Sequence, residues 1–183
     1  MTIDLGTGDG RAVLAAARAR PDRLAIGVDA CAAAMAAVSR RAAARPERGG
    51  CPNALFVVAA VEAMPPELAG LADLVTVRFP WGSLLRGLAA PEPATLCAVR
   101  GLLAPGAGLE VLLSVVAGDR AGVAPLDGPA IDALAAAWAD HGLPVSEARP
   151  ATLAELAASG SSWGRRLGAG GRRPVWLLRA GSG

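Results

Sequence analysis

Residues 1–11 read MTIDLGTGDGR, and this stretch decides the fold. Residues 1–5 form a short apolar run that predicts a buried strand, and a helical pattern over residues 11–20 follows and stops at Pro21. The glycines between the two elements let a ligand approach the backbone and leave the amino end of the helix open. The sequence therefore predicts a ligand-binding turn between a first strand and a first helix.

The rest of the chain continues this alternation of short apolar runs and longer helical patterns. Further strands are predicted at residues 24–28, 55–58, 74–77, 109–116 and 174–178. Further helices are predicted at residues 31–45, 93–103, 129–140 and 152–158, the last with Thr152 as N-cap and Glu155 completing a capping box. This order predicts a doubly wound, mostly parallel α/β sheet with right-handed crossovers, whose last two strands form an antiparallel edge pair.

The composition narrows the class of protein. The chain has 183 residues, of which 53% are hydrophobic, so a disordered chain is excluded and a single domain over residues 1–183 is expected. Apolar stretches are interrupted well before about 18 residues, which argues against a membrane span. Cys31, Cys51 and Cys97 lie far apart, so we expect no metal site and no disulfide framework, and a reducing cytoplasm is the expected location.

Positive charge is concentrated in two places. All 18 basic residues are arginine, and five of them follow Glu155, the last acidic residue. A second cluster consists of Arg40, Arg41, Arg45 and Arg48, offset only by Glu47. Runs of charge are usually solvated faces, but two clusters at opposite ends of the chain also fit a shared anion-binding surface.

A carboxylate at the end of the second strand extends the glycine motif. Asp29 stands where doubly wound folds hold a ribose. The spacing of Gly6, Gly8 and Gly10 is GxGxG rather than GxGxxG, which favours S-adenosylmethionine (SAM) over a dinucleotide. The acids at positions 4 and 9 suit an ammonium and a sulfonium, whereas they repel a pyrophosphate. The alternative is that the glycines serve only a tight turn.

The segment Ala59-Ala60-Val61-Glu62 follows the third strand, where a loop is expected to cover the adenine ring of the cofactor. Glu62 is a candidate acceptor for the exocyclic amine of that ring. Equally, Glu62 is explained as an acid that starts a helix before Pro65.

The segment Phe79-Pro80-Trp81-Gly82-Ser83 follows the fourth strand, at the edge where ligands bind in open α/β sheets. Enzymes that methylate exocyclic amines often carry a polar residue where Phe79 stands, so this chemistry loses support. A ring nitrogen such as adenine N1 already presents a lone pair and needs orientation and a dry pocket more than a base. Trp81 is a candidate stacking plate for such a ring.

A second tryptophan stands beside arginines in the segment SSWGRR over residues 161–166. Trp138 and Trp176 fall within a helix and a strand and are expected in the core. Trp81 and Trp163 fall in polar loops, which suggests a clamp around a flat ring with arginines on the phosphates. The alternative is a tryptophan pair that plugs the edge of the sheet.

Together these residues resemble the 16S rRNA (adenine(1408)-N(1))-methyltransferases, the aminoglycoside-resistance family that acts on the ribosomal decoding site. The matching segments are DLGTGDGR (4–11), RRAAARPERGG (40–50), AAVEAMP (59–65), FPWGSLLRG (79–87) and SSWGRRL (161–167) followed by Arg172 and Arg173. The resemblance implies a class I, Rossmann-like SAM-dependent fold. It implies methylation of adenine N1 in the assembled 30S subunit by a monomeric cytoplasmic enzyme that needs no metal.

The resemblance also implies roles for individual residues. The SAM-binding set would be Asp4, Gly6, Thr7, Gly8, Asp29, Ala60, Glu62, Ser83 and Ser161. The catalytic set would be Trp81 and Trp163, which sandwich a flipped adenine, with Phe79 and Pro80 lining its pocket. The RNA-binding set would be Arg40, Arg41, Arg45, Arg48, Arg166 and Arg173.

Two other functions remain open on the residues alone: a small-molecule methyltransferase on the same fold, and a non-catalytic homologue that binds SAM or RNA. Family members usually carry a β-hairpin before the glycine loop, whereas only three residues precede Asp4 here. The resemblance therefore bears more directly on the fold than on resistance activity.

Overall fold

Seven strands form one sheet in the computed structural model, which describes residues 1–168, 171 and 173–182. The strands are β1 (Thr2–Leu5), β2 (Ala25–Asp29), β3 (Ala54–Val58), β4 (Ala72–Arg78), β5 (Leu103–Leu113), β6 (Val145–Pro150) and β7 (Trp176–Gly181). Their order is β3-β2-β1-β4-β5-β7-β6. The first five pair in parallel, and β7 runs antiparallel to both β5 and β6. The predicted doubly wound, mostly parallel fold is confirmed.

Helices cover both faces of the sheet. They are α1 (Arg11–Ala19), α2 (Ala32–Ala42), α3 (Gly82–Ala89), α4 (Pro93–Leu102), α5 (Gly128–Asp140), α6 (Leu153–Ala158) and α7 (Ser162–Arg166). Short 3-10 turns span Pro46–Arg48, Val61–Ala63 and Pro66–Leu68. Apolar residues of α1 and α2 pack with β2 and β3 on one face, and those of α3, α4 and α5 pack on the other. Burial on both faces explains why the central strands read as continuous apolar runs.

The edge of the sheet differs from the prediction. The antiparallel pairing of the last strand with β5 is correct, but the edge strand itself is β6, which the sequence analysis did not predict. This strand carries Ser146, Glu147 and Arg149, and its side chains are half-buried or exposed. Val145 and Ala148 pack against the core, but no residue of β6 is fully buried, so the continuous apolar run that identified the other strands is missing here.

Two further elements were predicted as loops. The segment after β4 becomes helix α3 from Gly82 onward, with Leu84, Leu85 and Leu88 buried. The tryptophan-containing segment becomes the short helix α7, with Ser161 as its N-cap. Glycine, proline and serine at the start of both segments masked the helical pattern that follows.

The two tryptophans expected in the core lie there to different degrees. Trp138 on α5 is fully buried, and its Nε1 donates a hydrogen bond to the Leu88 carbonyl at 3.1 Å. Trp176 on β7 is half-buried against the same core, and its Nε1 donates to the Leu126 carbonyl at 3.1 Å. Among the described residues no helix has the length and hydropathy to cross a bilayer.

Candidate active site

A cavity of about 600 Å³ opens at the carboxyl ends of β1, β2 and β4. Its walls come from residues 4–9, 28–31, 59–61, 78–79, 81–84 and 160–163, together with Ala12, Ala34, Met64 and Arg166. Ligands of doubly wound sheets bind at this edge, where the strand order reverses between β1 and β4. The volume is in the range of small-molecule and cofactor sites.

The glycine loop presents backbone to this cavity. Gly8 has φ of +58°, and a Cβ added there would meet no atom within 4 Å, so its backbone faces open space. At Gly10, with φ of +65°, a Cβ would lie 2.5 Å from the Phe56 ring, so this glycine allows α1 to approach the sheet. Gly10 therefore serves the packing of α1, whereas Gly8 leaves open space beside the loop.

An unpaired hydroxyl lies in the same loop. Thr7 is buried, lines the cavity and has a side-chain Oγ1 with no hydrogen-bond partner among the described residues. Buried polar atoms are nearly always hydrogen-bonded, and the exceptions often mark a missing ligand or water. Thr7 is thus a candidate hydrogen-bond donor or acceptor for a polar ligand.

Asp29 closes the second strand as the motif predicts. Its Oδ2 accepts a hydrogen bond from the Gly8 N–H at 2.8 Å, and its Oδ1 accepts one from the Cys31 N–H at 2.8 Å. These two bonds fix the carboxylate against the glycine loop. Each oxygen retains a second lone pair, so the group can still accept bonds from the two hydroxyls of a ribose.

Asp4 has a partner that the sequence analysis missed. Its Oδ1 accepts a hydrogen bond from the Thr76 hydroxyl at 2.6 Å and from Arg78 Nη1 at 2.7 Å. Asp4 and Thr76 are neighbours in the β1–β4 register, and Arg78 lies two residues further along the same face of β4. Asp4 therefore faces the cavity as half of an ion pair, a contact that the sequence analysis did not predict.

Trp81 and Trp163 meet at the cavity. Their ring centroids lie 6.0 Å apart with planes at 68°, an edge-to-face contact. The side chains are 52% and 38% exposed, which argues against a buried plug at the sheet edge. A flat ring stacked between two indoles needs parallel planes about 7 Å apart, so one indole has to turn before it can accept a base.

Phe79 joins the two segments that carry these tryptophans. It adopts a left-handed φ of +53°, which is strained for a non-glycine residue, and its side chain is 5% exposed. A Cβ added to Gly164 on α7 would lie 2.5 Å from the Phe79 ring, so the ring packs directly on that glycine. The contact sets the distance between the β4 loop and the α7 segment.

An ion-paired network anchors α6, which leads into the α7 segment. Thr152 and Glu155 form the predicted capping box, and the Arg149 guanidinium donates to both Glu155 oxygens at 2.9 and 2.7 Å. Arg149, together with the Thr152 backbone N–H and hydroxyl, holds the pKa of Glu155 well below its usual range. Glu155 is therefore ionised throughout the physiological range, and the bidentate bond fixes α6 to β6.

The structure places the predicted site residues in two groups. Those that line the cavity are Asp4, Gly6, Thr7, Gly8, Asp29, Ala60, Ser83, Ser161, Phe79, Trp81, Trp163 and Arg166. Glu62 is exposed on a 3-10 turn and Pro80 is buried, and neither is among the lining residues. Arg78 also lines the cavity, and Gly164 packs against the lining residue Phe79; both placements depend on strand register and helix packing that the sequence does not show.

Of the predicted RNA-binding arginines, Arg166 alone lines the cavity. Residue 34 lines the cavity near the start of α2, and the helix runs from there away from the site. Arg41 is seven residues further on, about 10 Å along the helix axis. The exposed cluster of Arg40, Arg41, Arg45 and Arg48 therefore lies apart from the cavity mouth.

Arg173 is engaged within the protein, and Arg172 lies outside the described residues. The Arg173 guanidinium forms an ion pair with Asp119 and donates to the Ser114 hydroxyl at 2.7 Å. Both side chains of the pair are 12% exposed, and Arg173 holds the pKa of Asp119 below its ordinary value. The contacts give Arg173 a structural role in fixing the segment before β7.

Comparison with known proteins decides the family. The model of the NpmA family, described as 16S rRNA (adenine(1408)-N(1))-methyltransferase, matches residues 1–182. The chain belongs to this family. A 16S rRNA (adenine(1408)-N(1))-methyltransferase from Streptoalloteichus tenebrarius is 37% identical over 173 residues, which cover 91% of this chain and 80% of that protein. The family resemblance found in the sequence is confirmed.

Solved structures of the family have the same fold. A tryptophan-to-alanine mutant of the 16S rRNA (adenine(1408)-N(1))-methyltransferase from Catenulisporales acidiphilia, crystallised with its cosubstrate SAM, superposes with a TM-score of 0.88. It is 34% identical, and the match covers 99% of this chain and 84% of that one. The antibiotic-resistance methyltransferase Kmr is 42% identical with a TM-score of 0.80, over 99% of this chain and 85% of that one.

Proposed function

We propose that this chain transfers the methyl group of SAM to N1 of an adenine in the decoding site of 16S rRNA, within the assembled 30S subunit, and so gives aminoglycoside resistance. The observation that carries the proposal is the exposed Trp81–Trp163 pair at the mouth of a cavity built around the GxGxG loop and Asp29. A cofactor cavity alone fits any SAM-dependent enzyme. Two exposed indoles beside it add a stacking site for a flat base.

The residues at the cavity fit SAM. Asp29 would hold the ribose hydroxyls, the Gly8 backbone would lie against the ligand, and the unpaired hydroxyl of Thr7 would gain a partner. Ala60 would lie along the adenine ring, and Ser83 and Ser161 stand on the side of the cavity next to the tryptophans. When bound, SAM supplies a methyl group on a positively charged sulfur.

Methylation at adenine N1 does not need a general base from the protein. The N1 lone pair attacks the methyl carbon, the carbon–sulfur bond breaks, and the positive charge passes from sulfur to the adenine ring. No proton has to leave before the attack, so an apolar wall suffices where an enzyme acting on an exocyclic amine places a polar residue. Phe79 supplies that wall, and the indoles of Trp81 and Trp163 stabilise the cationic product ring by cation–π attraction.

The adenine has to leave its helical stack to reach the cavity. We infer that Arg166, at the cavity, contacts the distorted backbone, and that the cluster of Arg40, Arg41, Arg45 and Arg48 docks on phosphates further from the reacting base. A footprint that extends about 10 Å or more from the cavity fits a folded ribosomal substrate better than a free nucleotide. Residues 1–183 would act as one monomeric methyltransferase domain in the cytoplasm, where 30S subunits are found.

The test is methyl transfer from labelled SAM to purified 30S subunits by the wild-type protein and by Trp81→Ala and Trp163→Ala. Loss of base stacking should reduce transfer by about 5–150-fold, because stacking is worth roughly 1–3 kcal/mol per base. Leu71→Ala is the matched control, since it removes an apolar side chain of similar exposure, 52%, outside the cavity. Primer extension on the product should stop at the methylated adenine.

Unchanged transfer in both tryptophan variants would reject the clamp. SAM binding without transfer to 30S subunits would identify a non-catalytic homologue instead. Transfer that is insensitive to salt and directed to a small molecule would identify the other class of methyltransferase.

A further inference from the structure

Arg78 places a guanidinium inside the cofactor cavity. It is the last residue of β4, its side chain is 22% exposed, and it lines the cavity beside Asp4. The Asp4 side chain is 8% exposed and also lines the cavity. A positive and a negative group thus lie side by side on one wall, next to the glycine loop.

Both partners of this pair keep capacity for a ligand. Within the described part of the chain, Arg78 uses only Nη1, which donates to Asp4 Oδ1 at 2.7 Å. A guanidinium has five N–H donors in a rigid fork that matches a carboxylate. The hydrogen bonds from the Thr76 hydroxyl and from Arg78 both go to Asp4 Oδ1, so among the described residues Asp4 Oδ2 keeps its capacity to accept a hydrogen bond.

We propose that Arg78 binds the α-carboxylate at the methionine end of SAM, while Asp4 takes the α-ammonium, so that this ion pair is the recognition site for the amino-acid zwitterion. Adjacent opposite charges on the wall match adjacent opposite charges on the ligand. A phosphodiester has no cationic group to offset its approach to Asp4, so RNA is the poorer match. The inference deepens the proposed function and rests on its cofactor being SAM.

The experiment is calorimetric titration with SAM and with decarboxylated SAM, which differs only in lacking the carboxylate. The wild-type protein should bind SAM more tightly. Arg78→Gln should lower the affinity for SAM by about 10–100-fold, the range expected for loss of a hydrogen bond to a charged group. Its affinity for decarboxylated SAM should stay within about twofold of the wild-type value. The affinity of Arg78→Lys for SAM should lie between those of the wild type and Arg78→Gln, because lysine keeps the positive charge but lacks the paired N–H donors of the guanidinium.

Asp29→Asn is the matched control. The ribose is common to both ligands, so this variant should lower the affinities for SAM and for decarboxylated SAM by the same factor. In Arg78→Gln the charge of Asp4 has no partner, which could itself disturb binding. The double variant Asp4→Asn with Arg78→Gln removes that charge, and it too should bind SAM without preference over decarboxylated SAM. Circular dichroism confirms that each variant is folded before titration.

Equal affinity of the wild-type protein for the two ligands, or an equal loss for both in Arg78→Gln, would overturn the inference. Normal SAM binding by Arg78→Gln with loss of 30S methylation would also overturn it, and would assign Arg78 to RNA. Discrimination through Arg78 without any transfer to 30S subunits would support the inference while refuting the proposed function.

Discussion

Gly164 is the position where one added methyl group tests how the two tryptophans are held. A Cβ there would lie 2.5 Å from Phe79 Cε2, whereas carbon atoms in contact lie about 3.5–4.0 Å apart. The Phe79 ring is buried and its backbone is held at a left-handed φ, so it has little freedom to retreat. Gly164→Ala should therefore push α7, and Trp163 with it, outward by about 1 Å.

The expected effects follow from that displacement. Overpacking of this kind costs about 1–3 kcal/mol, and each kcal/mol lowers the melting temperature of a chain of this size by about 2–4 °C. A misplacement of about 1 Å at a reacting centre can cost about 100-fold in rate. We expect transfer to 30S subunits to fall by about 10–100-fold, measured as kcat/KM with labelled SAM.

Gly101→Ala is the control, because a Cβ at this helical glycine of α4 meets nothing within 4 Å. It should keep full activity and gain slightly in stability, since alanine favours a helix over glycine by about 1 kcal/mol. A Gly164→Ala protein with wild-type transfer and melting temperature would refute the idea that this contact positions Trp163.

Two further predictions concern charge. If Arg45 and Arg48 contact phosphates, replacing both by glutamine should make the affinity for 30S subunits less dependent on salt. The slope of log affinity against log salt concentration should become shallower by about 0.7–0.9 per arginine, and the affinity for SAM should not change. The control Arg100→Gln on α4 should leave that slope unchanged. Because the pKa of Glu155 is lowered in the folded protein, its stabilising effect is present above its unfolded pKa of about 4.3 and is lost as the pH falls toward the lowered value. The melting-temperature gap between wild type and Glu155→Gln should therefore be largest near neutral pH and narrow below about pH 4; a gap that does not change with pH would contradict the role of the Arg149 bond.

Much of the cofactor site was predictable because its determinants are local. The glycine loop is read from spacing alone, and Asp29 follows from the rule that functional groups stand at strand ends. The capping box of Thr152 and Glu155 is also a short-range pattern, and it forms as predicted. Elements with no periodic apolar signal were missed, as β6 shows.

The sequence by itself determined most of the strands and helices, the family, and most of the residues that line the cavity, because periodicity and short motifs depend on neighbours along the chain. Only the tertiary structure decided that Arg78 pairs with Asp4 across two strands and that Phe79 rests on Gly164. It also decided that Trp81 and Trp163 meet edge to face, although 82 positions separate them in the chain. These contacts depend on strand register and helix packing, which place distant residues within a few ångströms and leave no local pattern in the sequence.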